Sequence, residues 1–278
     1  GVWIPLTGSV LRELGLLLGM WRAARWSPRC RFRLAAVRAL LPFGLNFTGS
    51  RVLAYLNTNI ASLCIFPLLG DADLGYYKLA ERLTTTPLLR LSTTISNVSL
   101  PAFSTIQDDD LRLRRGYMSG VQSLILLLGP LLAVLYVFAP EILALIGQPA
   151  AVNVLRLLAV ATLLRAMGIM VGSVYVAKGR ADWLLRWSVF CLAVLIPALV
   201  ISVPRGIDAV AAVIAATSLL FLIVSQHLVD RLIGLSAWQY VAGVARPGAV
   251  VVAAAAAGTA VRPWLSGPPA VVLVLGTM

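Results

Sequence analysis

Two arginines stand where a lipid-facing helix tolerates none. Arg51 and Arg90 fall inside apolar runs, with Asn57 and Asn59 following the first and Ser92, Thr93, Thr94, Ser96 and Asn97 following the second. A charge in mid-membrane costs on the order of 3 kcal/mol on insertion scales, so such a residue marks a functional site by default. Arg82, Thr86, Arg90, Thr93 and Asn97 recur at steps of four, four, three and four. On an α-helix that spacing puts all five on one face. Arg51, Tyr55, Thr58 or Asn59, and Ser62 form a looser counterpart in the preceding run. A guanidinium fork matches phosphate or carboxylate oxygens, and amides and hydroxyls match sugar hydroxyls. The candidate binding set is therefore Arg51, Asn57, Asn59, Arg82, Arg90, Thr93 and Asn97, and its chemistry is recognition of an anionic, hydroxyl-rich ligand. Ser, Thr and Asn alone also serve as glue between membrane helices; the arginines shift the reading to a water-filled cavity shared by two antiparallel neighbours.

The same inventory leaves other chemistry without support. His227 is the single histidine, and Cys30, Cys64 and Cys191 are dispersed, so no metal ligand set or disulfide framework is expected. No Walker A, Rossmann glycine pattern or HExxH occurs. The reading assigns no catalytic residue, no cofactor and no enzyme activity. Asn46-Phe47-Thr48 and Asn97-Val98-Ser99 match the glycosylation sequon but fall in or beside apolar runs.

The elements that must position this stripe are membrane helices. Of the 278 residues, 60% are hydrophobic and 12% charged, where soluble domains carry about 25% charged residues, and the mean hydropathy is +0.91. The expected fold is all-α, a polytopic transmembrane bundle of about eight complete spans plus one truncated. The spans are predicted near residues 1–20, 40–69, 83–106 (interrupted by Pro87), 118–138, 152–177, 183–203, 207–229 and 238–261, with a ninth beginning at Pro268. Gly70 to Gly75 reads as a tight turn, and the acids before Arg112 suit a helix starting near Asp110. Adjacent Arg12 and Glu13 do not face each other on a helix, so each is expected to find its own partner or reach the interface. Because the chain begins without Met and stops inside an apolar run, it reads as a fragment of a longer protein.

The net charge of +12 comes from loops between apolar runs, which speaks for membrane topology rather than nucleic acid. With residues 21–38 cytoplasmic, that side holds the arginine cluster from Arg22 to Arg38 together with Arg112, Arg114, Arg115, Lys178, Arg180, Arg186 and Arg231. The other side holds only Lys78, Arg82, Arg205 and Arg262. The alternation is consistent across every hairpin. Contact with anionic lipid headgroups follows from the arginine cluster.

The stretches FGLNFTGSRVLAYLNTN, DADLGYYKLAERL, TPLLRLSTTISNVSLPAFSTIQDD and RLRRGY, followed by PEIL, VLRLLAVATLL and AKGRADW, give the chain a resemblance. It resembles the polysaccharide exporters, the O-antigen and lipid-linked oligosaccharide flippases of the multidrug/oligosaccharidyl-lipid/polysaccharide transporter superfamily. The resemblance implies two lobes around a central cavity working by alternating access. It implies a polyprenyl-pyrophosphate-linked glycan as cargo, polysaccharide assembly proteins as partners, and a place in the bacterial inner membrane. Residues 1–38 would hold the last helix of the first lobe and a basic linker, 39–236 the second lobe, and 237–278 additional helices. Ala61 stands where the family often has an acid, and Pro67 where it often has a base. The expected function is flipping or export of a lipid-linked oligosaccharide or polysaccharide precursor. Alternatives are a drug or cation antiporter of the same superfamily, which needs intramembrane carboxylates, and a membrane polymerase or glycosyltransferase, which needs a large extracytoplasmic loop.

Overall fold

The computed structural model describes residues 3–24, 34–106, 109–178 and 181–265, and among them every regular element is helical. In chain order these are α1 (Trp3–Ala24), α2 (Leu34–Leu69), α3 (Asp71–Thr105), α4 (Asp110–Val137), α5 (Ala139–Leu145), α6 (Val152–Gly168), α7 (Val171–Ala177), α8 (Ala181–Ser202), α9 (Ile207–Ile233) and α10 (Ala237–Leu265). Helices are what lipid demands, because each satisfies its own backbone hydrogen bonds where water is absent. Five stretches are long and apolar enough to cross a membrane: 110–137, 149–175, 183–205, 207–233 and 237–263. The expected count of eight is not established among the described residues. The apolar stretch of α2 is the shorter Tyr55–Leu69, and α3 carries Asp71, Asp73, Lys78, Glu81 and Arg82 in its first turns. The expected ninth span lies outside the described residues.

The chain divides into two compact units, Gly1–Thr48 and Gly49–Met278, with the boundary inside α2. In the first, α1 exposes Leu11, Leu14, Leu17, Leu18 and Met20. Arg12 Nη2 donates to Glu13 Oε1 at 2.9 Å, so this adjacent pair satisfies itself rather than seeking separate partners.

In the second unit three apolar clusters fill the bundle along its length. One joins Ala61 and Ile65 of α2, Tyr77 and Ala80 of α3, Leu143 of α5, Leu155 of α6, Leu199 of α8 and Ile214 of α9. Another joins Phe103 of α3, Tyr117 and Leu124 of α4, Val174 and Tyr175 of α7, Val229 of α9 and Tyr240 of α10. Between them lie Leu88, Leu128, Leu132, Ala159 and Ala166. The α2–α3, α5–α6 and α8–α9 connections thus gather at one end of the unit, and the α3–α4, α7–α8 and α9–α10 connections at the other, as alternating hairpins require. At the first end Arg262 Nε donates to Glu141 Oε1 at 2.6 Å and ties α10 to α5. At the second, Lys178 Nζ donates to Asp110 Oδ1 at 2.7 Å.

Local sequence explains where helices begin and end. Gly70 turns the chain with φ 87, a conformation glycine adopts without Cβ strain. The following Asp71 and Asp73 already sit in the first turn of α3, where acids favour the helix N-terminus. The expected six-residue turn is therefore a one-residue hinge, and α3 runs unbroken through Pro87. Asp109 caps α4 by accepting the Arg112 backbone N–H at 3.0 Å, so the helix starts at Asp110 as its acids predict. Gly234, at φ 63, closes α9 in the left-handed conformation, its N–H donating to Asp230 O at 2.7 Å. The expected span 152–177 corresponds to the single membrane-length stretch 149–175, within which the α-helical run lapses at Ile169 and Met170 and divides it into α6 and α7. Tyr240 Oη takes up the Met167 carbonyl at 3.1 Å there.

Candidate functional site

The candidate site starts from the two faces of α3. Its core face is Tyr77, Ala80, Thr84, Leu88 and Ser92, all buried. The buried hydroxyls are satisfied by their own helix: Thr84 Oγ1 donates to Ala80 O at 2.9 Å and Ser92 Oγ to Leu89 O at 3.1 Å. On the other side Arg82, Thr86, Arg90 and Thr93 are exposed. The polar stripe is thus a coherent outward face of α3, turned from the core of its unit.

Charge bookkeeping along α3 isolates its arginines. Lys78 Nζ donates to Glu81 Oε2 at 2.7 Å, and Tyr77 Oη donates to Glu81 Oε1 at 3.4 Å. Burial, and secondarily the Glu81 carboxylate, push the Tyr77 hydroxyl above its ordinary range, so it stays a protonated donor. With Glu81 answered by Lys78, neither Arg82 nor Arg90 has an acid within ion-pair distance among the described residues. Thr93 Oγ1 and Thr94 Oγ1 both donate to the Arg90 carbonyl at 3.0 Å. Such back-bonding occupies each hydroxyl proton and leaves each oxygen an acceptor toward solvent or ligand.

The α2 members of the predicted set behave differently. Asn57 Nδ2 donates to Ser188 O at 3.1 Å and binds α2 to α8, the interhelical role that amides serve in membranes. Asn59 Nδ2 donates back to Tyr55 O at 3.0 Å on its own helix. Arg51 lies on α2 and Asn97 on α3 by backbone, but their side chains lie outside the described residues. The structure therefore brings Arg82, Arg90 and Thr93 onto one face, ties Asn57 to α8, and leaves Asn59 self-bonded.

Arg165 was absent from the predicted set. It sits on α6, and its Nε donates to Ser218 Oγ on α9 at 3.2 Å. Its partner is 53 residues away, so no periodicity announces it; the available signal was an arginine inside an apolar run, the same signal that marked Arg90. Arg156, also in that run, instead donates from Nε to Tyr136 O at 3.2 Å and lies over the Tyr136 ring, 5.6 Å from its centroid, a structural anchor. No cluster of three or more His, Cys, Asp or Glu able to hold a metal occurs among the described residues.

Comparison with known proteins places the chain. It is 34% identical over 199 residues to the lipopolysaccharide biosynthesis protein WzxC of Escherichia coli, covering 70% of this chain and 40% of that protein. It is 29% identical over 237 residues to the teichuronic acid biosynthesis protein TuaB of Bacillus subtilis, covering 84% and 49%. It is 29% identical over 149 residues to the succinoglycan biosynthesis transport protein ExoT of Rhizobium meliloti, covering 53% and 30%. The chain spans less than half the length of these relatives. No solved structure matches it. With five helices able to cross a bilayer, this is a multi-pass protein of the bacterial inner membrane. The family model described as "Polysaccharide biosynthesis protein" matches residues 1–146, just over half of the chain, and the chain belongs to that family of polysaccharide biosynthesis and export proteins.

Proposed function

We propose that the full-length protein moves a lipid-linked oligosaccharide or polysaccharide precursor across the inner membrane by alternating access, and that it does so as a transporter without enzyme activity. The observation that carries the reading is the exposed cationic and hydroxyl face of α3, Arg82, Thr86, Arg90 and Thr93, on a helix whose opposite face is buried. A face with two uncompensated guanidinium groups is costly against lipid, and it is matched to a ligand that carries phosphate and sugar hydroxyls. A polyprenyl-pyrophosphate-linked glycan has both. A cation antiporter would need carboxylates within its spans, whereas Asp110, Asp208 and Asp230 stand in the first or last turns of α4 and α9.

The test is genetic and chemical together. Deletion of the gene is expected to remove the surface polysaccharide and to leave its lipid-linked precursor accumulating on the cytoplasmic face, with the wild-type gene restoring both. Loss of polymer with no precursor accumulated would place the protein at a synthetic step and overturn the transport reading.

Orientation follows from the basic residues of the two ends. Arg112, Arg114, Arg115, Lys178 and Arg231 crowd the end holding the α3–α4, α7–α8 and α9–α10 connections, and this end is taken as cytoplasmic. Cysteine at Asp73, half-buried in the first turn of α3, should then react with a membrane-impermeant thiol reagent added to intact spheroplasts. Cysteine at Leu111, 61% exposed on α4, should react only after permeabilisation. The reverse pattern would invert the topology.

A further inference from the structure

A groove between α8 and α9 combines two arginines with an aromatic wall. It encloses about 370 Å³, and Trp183, Arg186, Trp187, Phe190, Leu228 and Arg231 are among the residues that line it. Arg186 stands in the second turn of α8 and Arg231 in the last turn of α9. Each lies within about one turn of the edge of its apolar stretch, 183–205 or 207–233. Both therefore sit at the basic end of the unit, at the depth of lipid headgroups, where guanidinium and tryptophan side chains are favoured. Among the described residues no acid lies within ion-pair distance of Arg231. Asp230 precedes it directly, and consecutive residues diverge by about 100° around a helix.

The groove is ordered by depth. Its charges stand at the mouth, and Phe190, Val224 and Leu228 follow toward the middle of the bilayer. The wall is held in place by its own ring contacts. Trp187 and Phe190 lie 5.6 Å apart between centroids, each meets Phe221 at 6.0 Å, and Trp183 stands edge-on to Tyr175 at 5.7 Å. Such a preformed surface costs little ordering when a ligand arrives. Arg186, Phe190 and Arg231 are exposed, so the groove opens away from the bundle core. Deeper than His227 the exposed large side chains of this pair are apolar, with Val189 and Phe190 on α8 and Leu219, Leu220 and Ile223 on α9. A surface of that composition faces hydrocarbon. A soluble anion has no use for the aromatic wall, and an uncharged lipid has none for the arginines. An anionic glycerophospholipid carries both features in the same order along the membrane normal, phosphate at the mouth and acyl carbons below. A volume near 370 Å³ lies low in the range of ligand pockets. It takes the glycerol phosphate and the first methylenes, and the remaining chain lies along the exposed apolar side chains.

We propose that the α8–α9 groove is a fixed site for an anionic glycerophospholipid of the surrounding membrane, whose phosphate pairs with Arg186 and Arg231 and whose upper acyl carbons lie on Trp187 and Phe190. The occupant is bulk membrane lipid and not cargo, so the site stands apart from the α3 stripe and is independent of the transport reading. It also has a mechanical consequence. The chain joins α8 to α9 only at the opposite end, through Val203 to Gly206. A phosphate shared by the two arginines clamps the pair at the end where no connection holds it.

Tryptophan quenching tests this on the purified full-length protein in detergent. The Trp187 signal is taken as the difference between each protein and its Trp187→Phe counterpart, which keeps an aromatic wall. Phosphatidylglycerol with brominated tails should quench that signal at concentrations about tenfold lower than phosphatidylcholine with the same tails. Joint replacement Arg186→Gln and Arg231→Gln should erase the difference. Both side chains are exposed, so the doubly substituted protein should stay monodisperse. Joint replacement Arg112→Gln and Arg115→Gln removes the same charge from the same end, away from the groove, and should preserve the difference. Millimolar glycerol phosphate should leave the quenching intact. Equal quenching by the two brominated lipids in the wild-type protein overturns the proposal without recourse to any variant. A preference that survives loss of Arg186 and Arg231 overturns it too. So does one lost equally without Arg112 and Arg115, which would report bulk surface charge, and so does relief by glycerol phosphate, which would assign the groove to a soluble anion.

Discussion

Replacing Arg90 with alanine in the full-length protein should abolish surface polysaccharide while leaving the protein as stable as wild type. The two halves of this expectation come from the same observation. Arg90 is exposed on α3 and has no acid within ion-pair distance among the described residues, so its removal deletes no folded-state contact. The Thr93 and Thr94 hydroxyls bond to its carbonyl, not to its side chain, and survive the change. A core residue would behave otherwise, since truncating a buried large side chain costs about 2–5 kcal/mol. What Arg90→Ala removes is a charge-assisted contact to an anionic ligand, about 1.5–3 kcal/mol. That weakens binding by about 10- to 100-fold. Arg90→Lys should recover part of it, because the ammonium keeps the charge and loses the fork. Arg156→Ala is the informative contrast. It severs the bond to Tyr136 O and the contact with the Tyr136 ring, so it should lower stability modestly and leave export intact. The readouts are surface polysaccharide per cell and membrane-inserted protein by immunoblot. Normal polysaccharide in Arg90→Ala would dismiss the stripe as substrate-facing.

The stripe was legible in the sequence because its signal is local. A step of three or four residues fixes a face whatever the neighbours do, and the structure places Arg82, Thr86, Arg90 and Thr93 together on that face. The start of α4 was legible for the same reason, since Asp109 and Asp110 act on the adjacent turn. The partners of side chains were not legible. Asn57 bonds a carbonyl 131 residues away and Arg165 a hydroxyl 53 residues away, and nothing in the spacing within one helix selects between a ligand and a distant backbone. The break between α6 and α7 also escaped, because no proline marks it. Gly168 and Gly172 flank it, but isolated glycines are common in membrane helices and weak as punctuation. The number of spans is the least local quantity of all. It depends on how much of α2 and α3 the bilayer covers, and charges such as Asp71 and Glu81 place part of α3 where apolar length alone does not decide.

The largest effect on folding should come from Gly129. Helices α4 and α10 run parallel, with Met118 against Gly243, Gly129 against Val251, and Val137 and Phe138 against Gly258 in register. Gln122 Nε2 donates to the Gly243 carbonyl at 2.9 Å and fixes that register. Small residues allow this approach, but the glycines are not equivalent. A Cβ on Gly129 would overlap Val251 Cγ2, and a β-branched side chain in a helix has one favoured rotamer, so it cannot swing aside. A Cβ on Gly243 would meet the terminal methyl of Met118, the free end of a flexible chain that can move. Alanine raises helix propensity by about 1 kcal/mol at either position. At Gly243 that gain should dominate, leaving stability unchanged or slightly higher. At Gly129 overpacking costs about 1–3 kcal/mol and should outweigh it, and Gly129→Leu should lie at or above the top of that range by prising α10 from α4. Unfolding midpoints in a denaturing-detergent titration measure the order directly. If Gly129→Ala matched Gly243→Ala, α4 and α10 would not approach closely at Val251, and the tight parallel α4–α10 seam would be refuted.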